Sequence, residues 1–159
     1  MKLLVLLIAS CLIATPALAQ QQPASWLIGA WKLVEATQTD GGQPKEYLGP
    51  KPLGQVIFEA NGHFSDILIR SDVPKFKGNN RAQGSAEENA AVVHGSIAYF
   101  GTYTLTGDTL KMHITGSTFP NWNDTEQTRT VRQQGDRLMW ENAAASAGGQ
   151  VVLIFERVK

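Results

Sequence analysis

The chain predicts an all-β domain: one eight-stranded antiparallel up-and-down barrel with a short α-helix between its third and fourth strands. Three observations point there. Eight short β-type runs recur along the sequence, separated by turn residues. Most neighbouring runs are joined by tight links such as Asn61-Gly62, Gly107-Asp108 and Gly135-Asp136, which place consecutive strands side by side. The first run opens on Gly29-Ala30-Trp31, where the glycine permits a close backbone approach and the indole fills a large apolar space. Gly29 and Trp31 are therefore expected to be structural, sealing one end of a barrel. Eight strands suit either a sandwich or a barrel. The nearly sequential hairpins favour closure, which removes exposed edges and leaves room for side chains or one small ligand.

Residues 1–19 read as a secretory leader. Lys2 supplies the positive charge, Leu3 to Ile13 the apolar stretch and Ala17-Leu18-Ala19 the cleavage site. The stretch is shorter than the roughly 20 apolar residues that a membrane span requires. Ile8-Ala9-Ser10-Cys11 offers a rival reading, a lipid-modified Cys11, but the apolar run continues past the cysteine through Leu12 and Ile13. The expected product is a periplasmic or secreted domain of residues 20–159 with no stable membrane insertion.

Trp31 to Thr39 forms the first strand and stops at Asp40-Gly41-Gly42. Leu53 to Glu59 and His63 to Arg70 make a hairpin around Ala60-Asn61-Gly62. Pro74 to Gly84 is a polar, glycine-containing loop. Ser85-Ala86-Glu87-Glu88 then carries the signature of a capping box, and Ala90, Val93 and Ile97 recur at helical spacing, predicting a helix over 86–96. Ala98 to Thr106 pairs with Thr109 to Ser117, and Thr125 to Gln134 with Arg137 to Asn142. A small-residue loop, Ala143 to Gly149, leads to the last strand, Val151 to Val158.

Composition narrows the function. About 140 residues make one domain able to bury a core without cross-links. Cys11 is the only cysteine and lies in the leader, so no disulfide is expected in the exported domain. Without Lys2 the domain holds 13 basic and 14 acidic residues and no basic stripe, which argues against nucleic acid as a partner. No nucleophile elbow or phosphate loop occurs. His63, His94 and His113 lack metal-ligand spacing, so neither metal nor another cofactor is expected.

Leu27-Ile28-Gly29-Ala30-Trp31-Lys32-Leu33-Val34 resembles the opening of the bacterial lipocalin-like domain family, within the calycin group. Ala98-Tyr99-Phe100-Gly101-Thr102-Tyr103 and Gly116-Ser117-Thr118-Phe119-Pro120-Asn121-Trp122, followed by Gln127 and Arg129, extend the resemblance. It spans about Trp26 to Arg157. The stretch Ser117-x-x-Pro120-Asn121-Trp122 in register with Gln127-x-Arg129 is its most specific part. The resemblance implies an eight-stranded barrel with an internal cavity and brings no catalytic set.

Strand alternation nominates the cavity wall. Lys111, His113, Thr115 and Ser117 share one face of their strand, and Gln127, Arg129 and Val131 one face of the next. If Ser117 lies opposite Thr125, Thr115 faces Gln127 and His113 faces Arg129. That cluster would grip a carboxylate or another oxyanion through the guanidinium fork. The opposite phase, with Leu110, Met112 and Ile114 inward, stays open. The resemblance at His113, Gln127 and Arg129 tilts the reading to a polar wall. Tyr99 and Tyr103 share a face, and Trp122 is placed to shape the mouth. Glu59 and Asp66 are the candidate counter-charges for a buried Arg129.

The ligand-binding set is thus Tyr99, Tyr103, His113, Thr115, Trp122, Gln127 and Arg129. The expected partner is a small hydrophobic or amphiphilic molecule with an acidic or oxygenated head. The alternative is a cofactor-free isomerase or cyclase working through His113 and Tyr103. A haem held by a single histidine is a third reading.

Overall fold

The computed structural model describes residues 24–159. The expected leader and cleavage site, residues 1–19, lie outside the described residues. The strands are β1 (Gly29–Thr39), β2 (Lys45–Glu46), β3 (Leu53–Phe58), β4 (His63–Ile69), β5 (Ser96–Thr106), β6 (Thr109–Ser117), β7 (Thr125–Gln134), β8 (Arg137–Asn142) and β9 (Gln150–Arg157). Each of β3 to β9 pairs antiparallel with its neighbour in sequence, and β9 returns to β1, closing an eight-stranded barrel. β2 is a ninth, two-residue strand that covers the far half of β1, beyond the part paired with β3. It shifts the strand count, so the helix α1 (Ala86–Gly95) follows β4 and not a third strand.

Local chemistry accounts for the connections. Asn61, Gly62, Gly107 and Gly135 occupy the tight turns, with all three glycines at positive φ. The capping box of α1 is formed: Ser85 Oγ accepts from the Glu88 amide at 3.2 Å, and the Glu88 carboxylate accepts from the Ser85 amide at 2.8 Å. The helical spacing of Ala90 and Val93 does not mark a buried face, however. Val93 is 73% exposed, and Gly95 is the one buried residue of the helix. α1 stands at the rim and runs straight into β5.

Alternate residues of each strand fill the interior. Val56, Phe58, Phe64, Leu68, Leu110, Met112, Ile114, Leu138, Trp140, Leu153 and Phe155 form its core. Fully burying one such side chain contributes roughly 1.5–3 kcal/mol. One end is sealed. Trp31 is wholly buried there and donates its indole N–H to the Leu27 carbonyl at 2.8 Å. Arg157 stacks over the Trp31 ring and donates to the carbonyls of Ile28, at 3.0 Å, and Trp26. Gly29 has φ +125°, and a Cβ there would stand 3.1 Å from Arg157 Nη1, so the opening of β1 admits only glycine comfortably. The opposite end is ringed by Tyr47, α1, Trp122 and the 143–149 loop.

Candidate functional site

The site lies inside the open half of the barrel. β5 points Tyr99 inward, β7 points Arg129 inward, and both are buried. With Tyr47, Leu68, Ile97, Trp122, Trp140 and Leu153 they border an internal cavity of about 30 Å³. The barrel is therefore nearly filled, with space for about one or two water molecules. Outside it, Tyr47, Leu48, Val92, Val93, His94, Ile97, Phe119 and Ser146 line a rim groove of about 490 Å³. Tyr47, Ile97 and Ser146 border both spaces, so the groove adjoins the cavity.

Arg129 has no carboxylate within ion-pairing distance among the described residues. Its Nη1 donates to the Thr128 carbonyl at 2.8 Å, and its Nη2 donates to Gln127 Oε1. Burial pushes its pKa down, and the nearby Tyr99 and Asp66 resist that shift. Trp122 meets Tyr99 edge to face at 5.2 Å and Phe119 at 5.9 Å, forming an aromatic gate between cavity and groove.

Asp66 is the group that the alternation pattern conceals. It is wholly buried and sits directly opposite Tyr99 in the β4–β5 ladder; the Tyr99 hydroxyl and the Ile67 amide approach its carboxyl, but neither reaches hydrogen-bond geometry with either oxygen. Burial pushes its carboxyl up to about 7; the Tyr99 hydroxyl and the Arg129 charge pull the other way without overcoming it. The Tyr99 phenol is driven well above its ordinary value, first by burial and then by the Asp66 charge. A signal was available: Phe64, Asp66 and Leu68 share one phase of β4. Ile67 and Ile69 on the other phase hide it, because they make the strand read as apolar on both faces. Glu59, the other proposed counter-charge, is exposed at the end of β3.

Of the seven residues expected to bind ligand, the structure gathers Tyr99, Trp122, Gln127 and Arg129. The other three stand elsewhere. His113 and Thr115 face outward, and His113 is flanked by Glu126 at 3.0 Å and Asp124 at 3.4 Å. The reason is register. Thr125 pairs with Ile114 and not with Ser117, a shift of three residues, and an odd shift exchanges the two faces of a strand. Arg129 thus lies opposite Leu110, and Gln127 opposite Met112. The connection enforces this: the Asn123 side chain accepts from the Ser117 amide at 2.7 Å, and the Asp124 amide donates to the Ile114 carbonyl at 2.8 Å.

Tyr103 points inward but near the sealed end, where its hydroxyl donates to the Glu59 carbonyl at 2.9 Å. None of the three histidines enters the barrel: His63 and His113 are on its outer face and His94 is on the exposed side of α1. A haem reading resting on an interior histidine loses its residue.

A barrel sealed by a tryptophan–arginine stack at one end, with a gated polar cavity at the other, defines a lipocalin-type architecture. Residues 28–158 match the lipocalin-like domain family, and the chain belongs to it. Among solved structures it is similar to a lipocalin-like protein from Bacteroides uniformis, at 18% identity over 83% of this chain and 98% of that one, with a TM-score of 0.47. It is also similar to an uncharacterised protein from Bacteroides eggerthii, at 16% identity over 83% and 99% of the two chains, with a TM-score of 0.42. No curated protein matches it.

Proposed function

We propose that this protein is an exported binder of a small amphiphile, with the acidic or oxygenated head at Arg129 and the apolar body in the rim groove. The observation that carries this reading is a buried guanidinium without a carboxylate partner among the described residues, bordering a cavity that adjoins an apolar groove. Leaving such a charge unpaired is costly, and an incoming anion offsets the cost. Gln127 holds the guanidinium in place and Tyr99 supplies a second hydrogen-bonding group. The small cavity favours a head group of a few atoms, with the remainder outside Trp122. Native mass spectrometry of protein purified from its own host tests the reading. A co-purified acidic amphiphile supports it, and a barrel that is empty and takes up no such compound on titration overturns it. Intact mass tests the export, expected as a chain beginning at Gln20. A chain beginning at an acylated Cys11 would make the protein a membrane-anchored one.

A second reading, a cofactor-free isomerase or cyclase, draws on one specific observation: a buried carboxyl whose pKa is pushed up to about 7, suited to accepting and returning a proton. Asp66 takes the place of His113 and Tyr103 in that reading, because those two stand away from the cavity. The readings part on the fate of the bound compound. A carrier returns it unchanged after prolonged incubation; an enzyme returns an isomer.

A further inference from the structure

We infer that the barrel takes up an anion together with a proton, the proton going to Asp66, so that its ligand class is an acid bound as anion plus proton. The inference rests on the proposed binding of an anionic head at Arg129. Its structural basis is the burial of two charged groups, Asp66 and Arg129, each close to Tyr99 in the barrel interior. Asp66 is wholly buried with both oxygens unpartnered, and Tyr99, directly opposite it in the ladder, borders the cavity together with Arg129. The groups that face Asp66 are few. β5 presents Tyr99, β7 presents Arg129, β3 presents the apolar Val56, and Tyr47 lies beyond Tyr99.

In the empty barrel an ionised Asp66 and Arg129 balance each other through the low-dielectric interior, although no hydrogen bond joins them. An anion arriving at Arg129 removes that balance and leaves two negative charges against one positive. The interior stabilises a lone buried carboxylate poorly. Asp66 therefore takes a proton from solvent as the anion enters, the carboxylate becoming a neutral carboxylic acid, and it returns the proton when the anion leaves. The carboxyl pushed up to about 7 by burial places this exchange within the ordinary pH range. No bond other than O–H forms or breaks.

The test uses 1-octanesulfonate, whose charge is fixed at every working pH, and 1-octanol as a neutral companion, titrated calorimetrically into the domain. Affinity for the sulfonate should fall about a hundredfold between pH 6 and pH 9, by linkage to a carboxyl titrating near 7. At pH 8, titrations in two buffers of different ionisation enthalpy should show uptake of close to one proton per sulfonate bound. Octanol affinity should stay level across the range. Asp66→Asn, which removes the titrating group, should bind the sulfonate equally at both pH values. Flat sulfonate affinity without proton uptake, while both probes bind, overturns the coupling and leaves the binding reading standing. A persistent slope in Asp66→Asn, or an equal slope for octanol, also overturns it. Failure of both probes to bind at any pH sinks the binding reading, and this inference with it. The wild-type proton count decides the matter even where the variant fails to fold.

Discussion

The guanidinium carbon of Arg157 lies 4.0 Å from the centre of the Trp31 ring, joining the end of β9 to the start of β1 at the sealed floor of the barrel. The two strands also pair along their length, so this contact closes the cylinder where the start of β1 meets the end of β9.

Trp31→Ala should therefore cost about 3–5 kcal/mol, the scale for emptying a core tryptophan site. Against a typical total of about 5–15 kcal/mol, that leaves a marginal fold. Chemical denaturation measures it, and an unchanged midpoint would show that the floor does not depend on the indole.

Gly101 carries a second structural prediction. β5 slips register against β6 between Phe100 and Gly101, and a Cβ at Gly101 would stand 1.9 Å from the His113 carbonyl oxygen. That neighbour is backbone and cannot swing away. Gly101→Ala should cost about 1–3 kcal/mol or more, as overpacking does. Gly42→Ala meets only the Asp40 carbonyl, at 3.9 Å, and should change stability by less than about 0.5 kcal/mol.

The pairing of β6 with β7 separates what adjacent residues encode from what they do not. Asn-Gly and Gly-Asp turns, the Ser85–Glu88 box and the Gly29-Ala30-Trp31 floor are local, and each is written within a few adjacent residues. Register across 118–124 is not local. It depends on Asn123 reaching back to Ser117, a contact that the alternation of β6 cannot report. Lys111, His113 and Thr115 also resemble a polar pocket wall as much as a solvent face, because both are polar. Tyr99 and Arg129 were readable because their strands carry one clearly polar phase. Asp66 is legible as a candidate counter-charge for Arg129, but its inward facing is not, since its strand has isoleucines where a solvent face should be.

Asp66 should also shape stability against pH. Its folded pKa of about 7 lies above the ordinary 3.8, so the native state holds this proton where the unfolded chain has lost it. Stability from this group is full below about pH 4 and declines as pH rises toward 7, by an amount on the order of 4 kcal/mol for three pKa units. Asp66→Asn removes the decline. Denaturation midpoints for both proteins at pH 5 and pH 8 should show the variant gaining on the wild type at the higher pH. A constant difference would mean that Asp66 finds a partner in solution.

Arg129 separates recognition from structure. Arg129→Met keeps most of the side-chain volume and removes the charge and its bonds to Thr128 and Gln127. Octanesulfonate binding should weaken by about 2–5 kcal/mol, the scale for losing one member of a buried charged pair, while octanol binding changes little. The substitution acts on Asp66 as well. The positive charge of Arg129 holds that carboxyl down, so its loss drives the Asp66 pKa further up. The variant should then lose stability, relative to the wild type, as pH rises above 7, because ionising Asp66 has become more costly. Adding Asp66→Asn to Arg129→Met should restore that stability without restoring sulfonate binding. Equal loss of sulfonate and octanol binding in Arg129→Met would instead assign the arginine to the wall of the barrel, with no part in gripping the head group.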